Sequence, residues 1–111
     1  MIALQDLLYK VSLESVSGDL QLQIASLAFD SRKVTPQTLF VALEGESVDG
    51  HDYISSAIER GAIAVLCEKL PKSRVSQCTY LEVSNSHEAL GIMASNFYGN
   101  PSQDIKVVGV T

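Results

Sequence analysis

The sequence predicts an α/β fold, a small sheet of about four or five strands with flanking helices. Two apolar runs, LFVAL at 39–43 and AIAVLC at 62–67, read as strands buried on both faces. Segments with helical apolar spacing lie before, between and after such runs, so strand and helix alternate as in layered α/β domains. The chain has 111 residues, 46% hydrophobic and 19% charged, which suits one compact domain with a core of its own.

Leu4, Leu7, Leu8 and Val11 follow i, i+3, i+4, i+7 spacing and predict a short amphipathic helix. Gly18-Asp19 marks a turn. LQLQIASLAF then alternates apolar and polar residues and predicts a strand with Leu20, Leu22 and Ile24 on one face. A polar wedge, Asp30-Ser31-Arg32-Lys33, and a Thr35-Pro36 turn lead into the first buried strand. The polar stretch 44–50 is bounded by glycines, and a helix is expected from near Asp49 or Asp52, with Ile54, Ala57 and Ile58 inward. Gly61 is placed to end it in the left-handed conformation. After AIAVLC, residues 71–77 read as a solvated loop and TYLEV as a third short strand. Asn85 and Glu88 have capping-box spacing ahead of a helix whose inner face carries Leu90, Met93, Ala94 and Phe97. Tyr98-Gly99-Asn100-Pro101 is its stop signal, and IKVVGVT reads as a last strand.

Composition excludes several functions. A net charge of −5 argues against a nucleic-acid or acidic-membrane surface, either of which needs a basic patch. MIALQDLLYK lacks the basic start and small-residue cleavage pattern of a secretory signal, and no apolar run reaches the roughly 20 residues of a membrane span. Cys67 and Cys78 have neither CxxC spacing nor a framework, so a reduced, cytoplasmic protein is the simpler reading, with a bridge between them left open. His51 and His87 lie in different elements without a cluster of metal ligands. No nucleophile–base pair, carboxylate dyad or metal constellation is visible, so no catalytic or metal residue is assigned.

Two stretches have the chemistry of a ligand edge. FDSRK offers a hydroxyl, a carboxylate and a guanidinium within three residues. Asp and Ser equally suit an ordinary surface turn, and Arg32 can serve a phosphate or a structural salt bridge. In EGESVDGHD, Gly45 and Gly50 let the backbone approach a ligand closely, but the spacing matches neither the dinucleotide fingerprint nor a phosphate loop, and Asp49 can simply cap the following helix. From the residues alone, the chain is an α/β domain with a possible polar ligand edge.

Taken in order, DSRKVTPQTLFVALEG, DGHDYISSAIERGAIAVL, the helix near SNSHEALG, and FYGNPS before KVVGVT resemble the N-terminal domain of the Mur ligases. These ATP-dependent enzymes build the peptide of cell-wall precursors. The likeness covers almost everything beyond about residue 24. DSR, the DGH-Y-I pattern and the FYGNPS–VVGVT ending most resemble the third-residue ligases, which add meso-diaminopimelate or L-lysine to UDP-N-acetylmuramoyl-L-alanyl-D-glutamate. The D-alanyl-D-alanine-adding ligases, which more often resemble DTR at the first motif, are the nearest alternative, and a stand-alone nucleotide-binding module is another.

The resemblance implies that residues 1–111 are the UDP-sugar-binding domain of a longer chain, ending where an ATP-binding central domain begins. It carries substrate contacts onto Phe29, Ser31, Glu46, Ser47 and Val48, and structural roles onto Arg32, Asp49 and His51. ATP and Mg²⁺ would act in the central and C-terminal domains, this piece alone being inactive and without cofactor. The implied partners are the nucleotide substrate and the rest of the same chain, in a monomer without nucleic acid or membrane. The family's usual glycine in the turn before LF is replaced, since PQTLF carries Gln37-Thr38.

Overall fold

The computed structural model describes residues 2–45, 49–72 and 74–98. Seven strands and three helices follow in chain order: β1 (Ile2–Ala3), α1 (Leu4–Leu7), β2 (Ser15–Ser17), β3 (Gln23–Ile24), β4 (Ser26–Ala28), β5 (Thr38–Val41), α2 (Ile54–Glu59), β6 (Ala62–Cys67), β7 (Thr79–Glu82) and α3 (Ser86–Tyr98). Single 3-10 turns at Ser31–Lys33 and Gly50–Tyr53 precede β5 and α2. The main sheet has the order β2-β7-β6-β5-β4, all parallel except β2, while β1 and β3 form a separate antiparallel ribbon. The predicted α/β class and the five-stranded sheet with flanking helices are what the chain adopts.

Burial on both faces explains the apolar runs. All four residues of β5 are buried. Leu39 and Val41 face one core with Ala64, Leu66, Leu81 and residues of α1 and α3. Phe40 and Ala42 face the other, with Val65, Cys67, Tyr80 and the inner side of α2. Between Thr38 and Leu39 the register with β6 slips by one residue, because Thr38 opposes Ala62 while Leu39 opposes Ala64. This bulge leaves Ala62 and Ala64 in different cores.

The N-terminal half differs from the sequence expectation in detail. The first helix is one turn long, since Lys10 turns into the left-handed region at φ 70°. Its apolar face is as predicted, with Leu4, Leu7 and Leu8 buried and Val11 packed against them. Asn96 of α3 donates to the carbonyls of Leu7 and Tyr9, satisfying groups that a helix end leaves open. LQLQIASLAF is not one strand. It divides into β3, in the ribbon, and β4, at the sheet edge, with Ala25 N–H between them donating to Gln37 O at 2.8 Å. The predicted final strand, IKVVGVT, lies outside the described residues.

The amino edge of the parallel strands is fixed by tight turns. Gly61 ends α2 at φ +121°, as predicted, and a side chain there would meet Pro36 Cα at 2.8 Å. Opposite it, Gln37 sits at φ 65° directly after Pro36, the position where a type II turn favours glycine. Its N–H donates to Gly61 O at 3.1 Å, which holds the strained residue in place. Thr38, fully buried, shares its hydroxyl with Ser26 at 2.8 Å and Thr35 at 3.1 Å. Gln37→Gly should therefore raise stability by about 0.5–1 kcal/mol, the relief of left-handed strain being partly offset by a more flexible unfolded chain. Urea denaturation of the two proteins side by side measures this.

Candidate ligand edge

Every parallel strand runs toward the same edge, and the polar segments singled out in the sequence emerge there. In open α/β sheets this carboxyl edge is where ligands bind. The DSR turn follows β4, residues 42–49 follow β5, Glu68 follows β6, and Ser84 to Ser86 follow β7.

After β4, Asp30 is extended and caps the turn, its Oδ1 accepting from Arg32 N–H at 3.0 Å. The guanidinium folds back on the same carboxylate through Nε at 3.1 Å and Nη2 at 2.8 Å. Arg32 thus makes the structural salt bridge, one of its two sequence readings. That side-chain contact, followed by the backbone one, lowers the Asp30 carboxyl to about 2. Arg32 remains 82% exposed and lies near Tyr53. Ser31, half-buried, uses its carbonyl to accept from Val34 N–H. Its hydroxyl has no partner among the described residues. Phe29, 60% exposed, presents an aromatic ring to solvent just ahead of the turn. Two of the residues marked in the sequence are therefore two positions apart on this edge, one with an exposed ring and one with a hydroxyl that has no partner among the described residues.

The connection after β5 closes on itself. Gly50 N–H donates to Leu43 O at 2.7 Å, and Glu44 and Asp49 form a bridge. A Cβ on Gly50 would sit 2.7 Å from Leu43 N and 2.9 Å from Leu43 O, both immovable backbone. Glycine is needed here for proximity to the chain's own backbone, where the sequence had marked it for approach to a ligand. Glu46, Ser47 and Val48, the other three expected contacts, lie outside the described residues. Asp49 caps the following turn as anticipated, accepting from His51 N–H at 3.0 Å and from ring Nδ1 at 2.7 Å. The backbone bond first, then the ring, holds its carboxyl below the usual carboxylate range. The far ring nitrogen, Nε2, accepts from Glu68 N–H at 3.0 Å.

Glu68 was not singled out in the sequence, and no local signal marks it, because its partner lies 18 residues away. Its Oε2 accepts from Ser86 N–H at 2.7 Å and Ser86 hydroxyl at 2.8 Å, at the start of α3. Those two bonds, the backbone one leading, lower its carboxyl. Asn85 caps the same helix by accepting from Glu88 N–H at 3.0 Å, as its spacing predicted. The positive end of α3 is thus filled by the protein's own carboxylate. An open depression of about 230 Å³ beside this helix is lined by Val11, Ser12, Ser84, Asn85 and Glu88. Neither Phe29 nor Ser31 borders it.

Cys67 opposes Glu82 in register, four residues from Cys78 along β7, a separation of roughly 13 Å at strand rise. Both thiols are free and buried, and burial pushes each up to about 11. The disulfide left open by the sequence does not form in this fold. Among the described residues, no group of three or more His, Cys, Asp or Glu could hold a metal, and no helix is long and apolar enough to cross a membrane.

The family described as "Mur ligase family, catalytic domain" matches residues 23–98. The chain belongs to the Mur ligase family. It is 50% identical over 109 residues to the UDP-N-acetylmuramoyl-L-alanyl-D-glutamate–2,6-diaminopimelate ligase of Cytophaga hutchinsonii, covering 97% of this chain and 22% of that protein. The similarly named protein of Bacteroides thetaiotaomicron is 43% identical over 108 residues, with 97% and 22% covered. This Mur ligase chain therefore spans about a fifth of the length of the curated relatives it matches. Among solved structures, MurF from Acinetobacter baumannii superposes with a TM-score of 0.76 at 21% identity, over 92% of this chain and 22% of that one. MurF from Thermotoga maritima in complex with ADP gives 0.58 at 29% identity, over 68% and 17%. The first of these likenesses establishes the fold alone.

Two outcomes test this description of the edge. Gly50→Ala should cost about 1–3 kcal/mol, since its methyl meets backbone that cannot yield, and thermal unfolding reads this directly. Asp30, Asp49 and Glu68 all bind protons more weakly when folded, so the stability they add is full above the unfolded carboxyl range near pH ~4 and falls away on acidification toward about pH 2. Urea midpoints between pH 7 and 3 should fall below pH ~4, and less steeply in Glu68→Gln than in the wild type.

Proposed function

We propose that these 111 residues are the N-terminal substrate-holding domain of a cytoplasmic Mur ligase that extends the peptide of UDP-N-acetylmuramoyl-L-alanyl-D-glutamate. The single observation that carries this reading to the site is the DSR turn at the carboxyl edge of a parallel sheet, where Phe29 is exposed and the Ser31 hydroxyl has no partner among the described residues. A hydroxyl both donates and accepts, which suits a uracil or ribose edge, and an aromatic face suits a base. With Arg32 paired to Asp30 and the α3 terminus filled by Glu68, neutral donors and backbone N–H groups are left to hold the ligand. Glu46, Ser47 and Val48 complete the proposed contact set.

The relatives are named for 2,6-diaminopimelate, and the parent is proposed to add that residue through chemistry outside this chain. In that reaction ATP would pass its γ-phosphoryl to the glutamate side-chain carboxylate and leave as ADP, and the incoming amine would displace phosphate to form the amide, Mg²⁺ supplying charge neutralisation when bound. This chain supplies no step of it. It fixes the nucleotide end so that the peptide end reaches the reaction centre, the entropic part of catalysis. The D-alanyl-D-alanine-adding alternative shares the fold, which does not separate the two, whereas the sequence relatives favour the third-residue reaction. The parent is taken as a monomer whose remaining domains are this domain's partners.

UDP titrated into the isotopically labelled chain should shift amides at residues 29–32 and 46–48. Ser31→Ala should weaken the fitted affinity about 3–10-fold, the net worth of one hydrogen bond. Identical titration curves for the two proteins, or shifts confined to other faces, would remove the site.

A further inference from the structure

We infer that the Asp30–Arg32 pair is a stacking surface for the base of the nucleotide, with Arg32 a further ligand contact and Asp30 the residue that positions it. The inference rests on the reading that this edge holds a nucleotide. The Asp30 carboxylate accepts from Arg32 Nε at 3.1 Å and Nη2 at 2.8 Å, so the guanidinium is engaged along one side. A fork closed on a carboxylate in this way favours a flat pair. Nη1 has no partner among the described residues, and the Arg32 side chain is 82% exposed. So exposed an ion pair adds little to stability. What the contact does achieve is to remove the rotamer freedom of a long side chain before any ligand arrives.

The backbone beneath the pair is firmly held. Ala28, at the end of β4, and Val34, just past the turn, are buried in one core with Ile54 and Ala57 of α2. Between them, Lys33 N–H donates to Asp30 O at 2.9 Å and Arg32 N–H to Asp30 Oδ1 at 3.0 Å. Asp30 therefore fixes the turn and the guanidinium together, and the two partners flank Ser31 in the chain. Because the pair carries no net charge, what it offers a ligand is surface. A guanidinium plane is weakly hydrated and stacks on aromatic rings, and every nucleobase has a face to stack. Arg32 thus contributes affinity without choosing among bases, and the choice falls to the Ser31 hydroxyl. A phosphate would draw instead on the charge that Asp30 offsets.

The test follows the Arg32 Nε–H resonance and the affinity for UDP in the 111-residue chain. UDP and uridine should each move that resonance, and inorganic pyrophosphate should leave it in place. Arg32→Lys keeps the charge and loses the plane, so it should weaken UDP binding about 3–10-fold, as much as Arg32→Ala does. Asp30→Asn, which keeps the cap and loosens the fork, should fall between wild type and these variants. Wild-type affinity in Arg32→Lys, or a shift of Nε–H with pyrophosphate, overturns the stacking role and leaves the Ser31 site standing. Absence of any UDP shift at residues 29–32 in the wild type overturns the site and this role together.

Discussion

The carboxyl edge of this sheet depends on one constraint of space. The chain leaving β5 must double back within contact of its own strand end, where Gly50 N–H meets Leu43 O at 2.7 Å. No side chain fits between those backbones. Because the approach is so close, Asp49 falls where it can cap the next turn, and that turn aims His51 at the end of β6. Glu68, one residue past β6, is in turn placed over the start of α3. Four segments separated in sequence are brought into order by hydrogen bonds that begin at one missing Cβ.

The two edges of the parallel sheet divide their duties. At the amino edge, the hydroxyls of Ser26, Thr35 and Thr38 satisfy one another, and Gly61 lets the end of α2 cross Pro36 at close range. Among the described residues no buried polar side-chain atom lacks a partner, and the strain at this edge lies in Gln37. At the carboxyl edge, by contrast, Ser31 and Phe29 are kept available while their neighbours are bonded internally. Among the described residues the Ser31 hydroxyl has no partner, and the Phe29 ring is 60% exposed.

The sheet interior was legible because a strand buried on both faces writes itself as an unbroken apolar run, as β5 and β6 do. The helix signals at Gly61 and Asn85 were legible because capping is local chemistry. The β1–β3 ribbon and β2 were not. Ser15–Ser17 is exposed throughout and owes its pairing to β7, some 65 residues distant, with no alternation to read. LQLQIASLAF misled for a related reason, since its alternation continues while its partners change at Ala25. Within the site, Asp30 and Asp49 could be read as caps from their own sequence. The Asp30–Arg32 pair is local too, two residues apart, and the sequence left it open only against a phosphate; the reach of Glu68 to Ser86 depends on tertiary placement that spacing does not encode.

The neutralised termini have a consequence for how an anionic substrate would arrive. With the Arg32 guanidinium held by Asp30, the dipole of α3 quenched by Glu68, and the whole surface at −5, there is little long-range field to draw a diphosphate inward. The net negative surface opposes an anionic ligand, so encounter would be slowed at low salt and quicken as ionic strength screens the repulsion. Selectivity would then come from fit after collision.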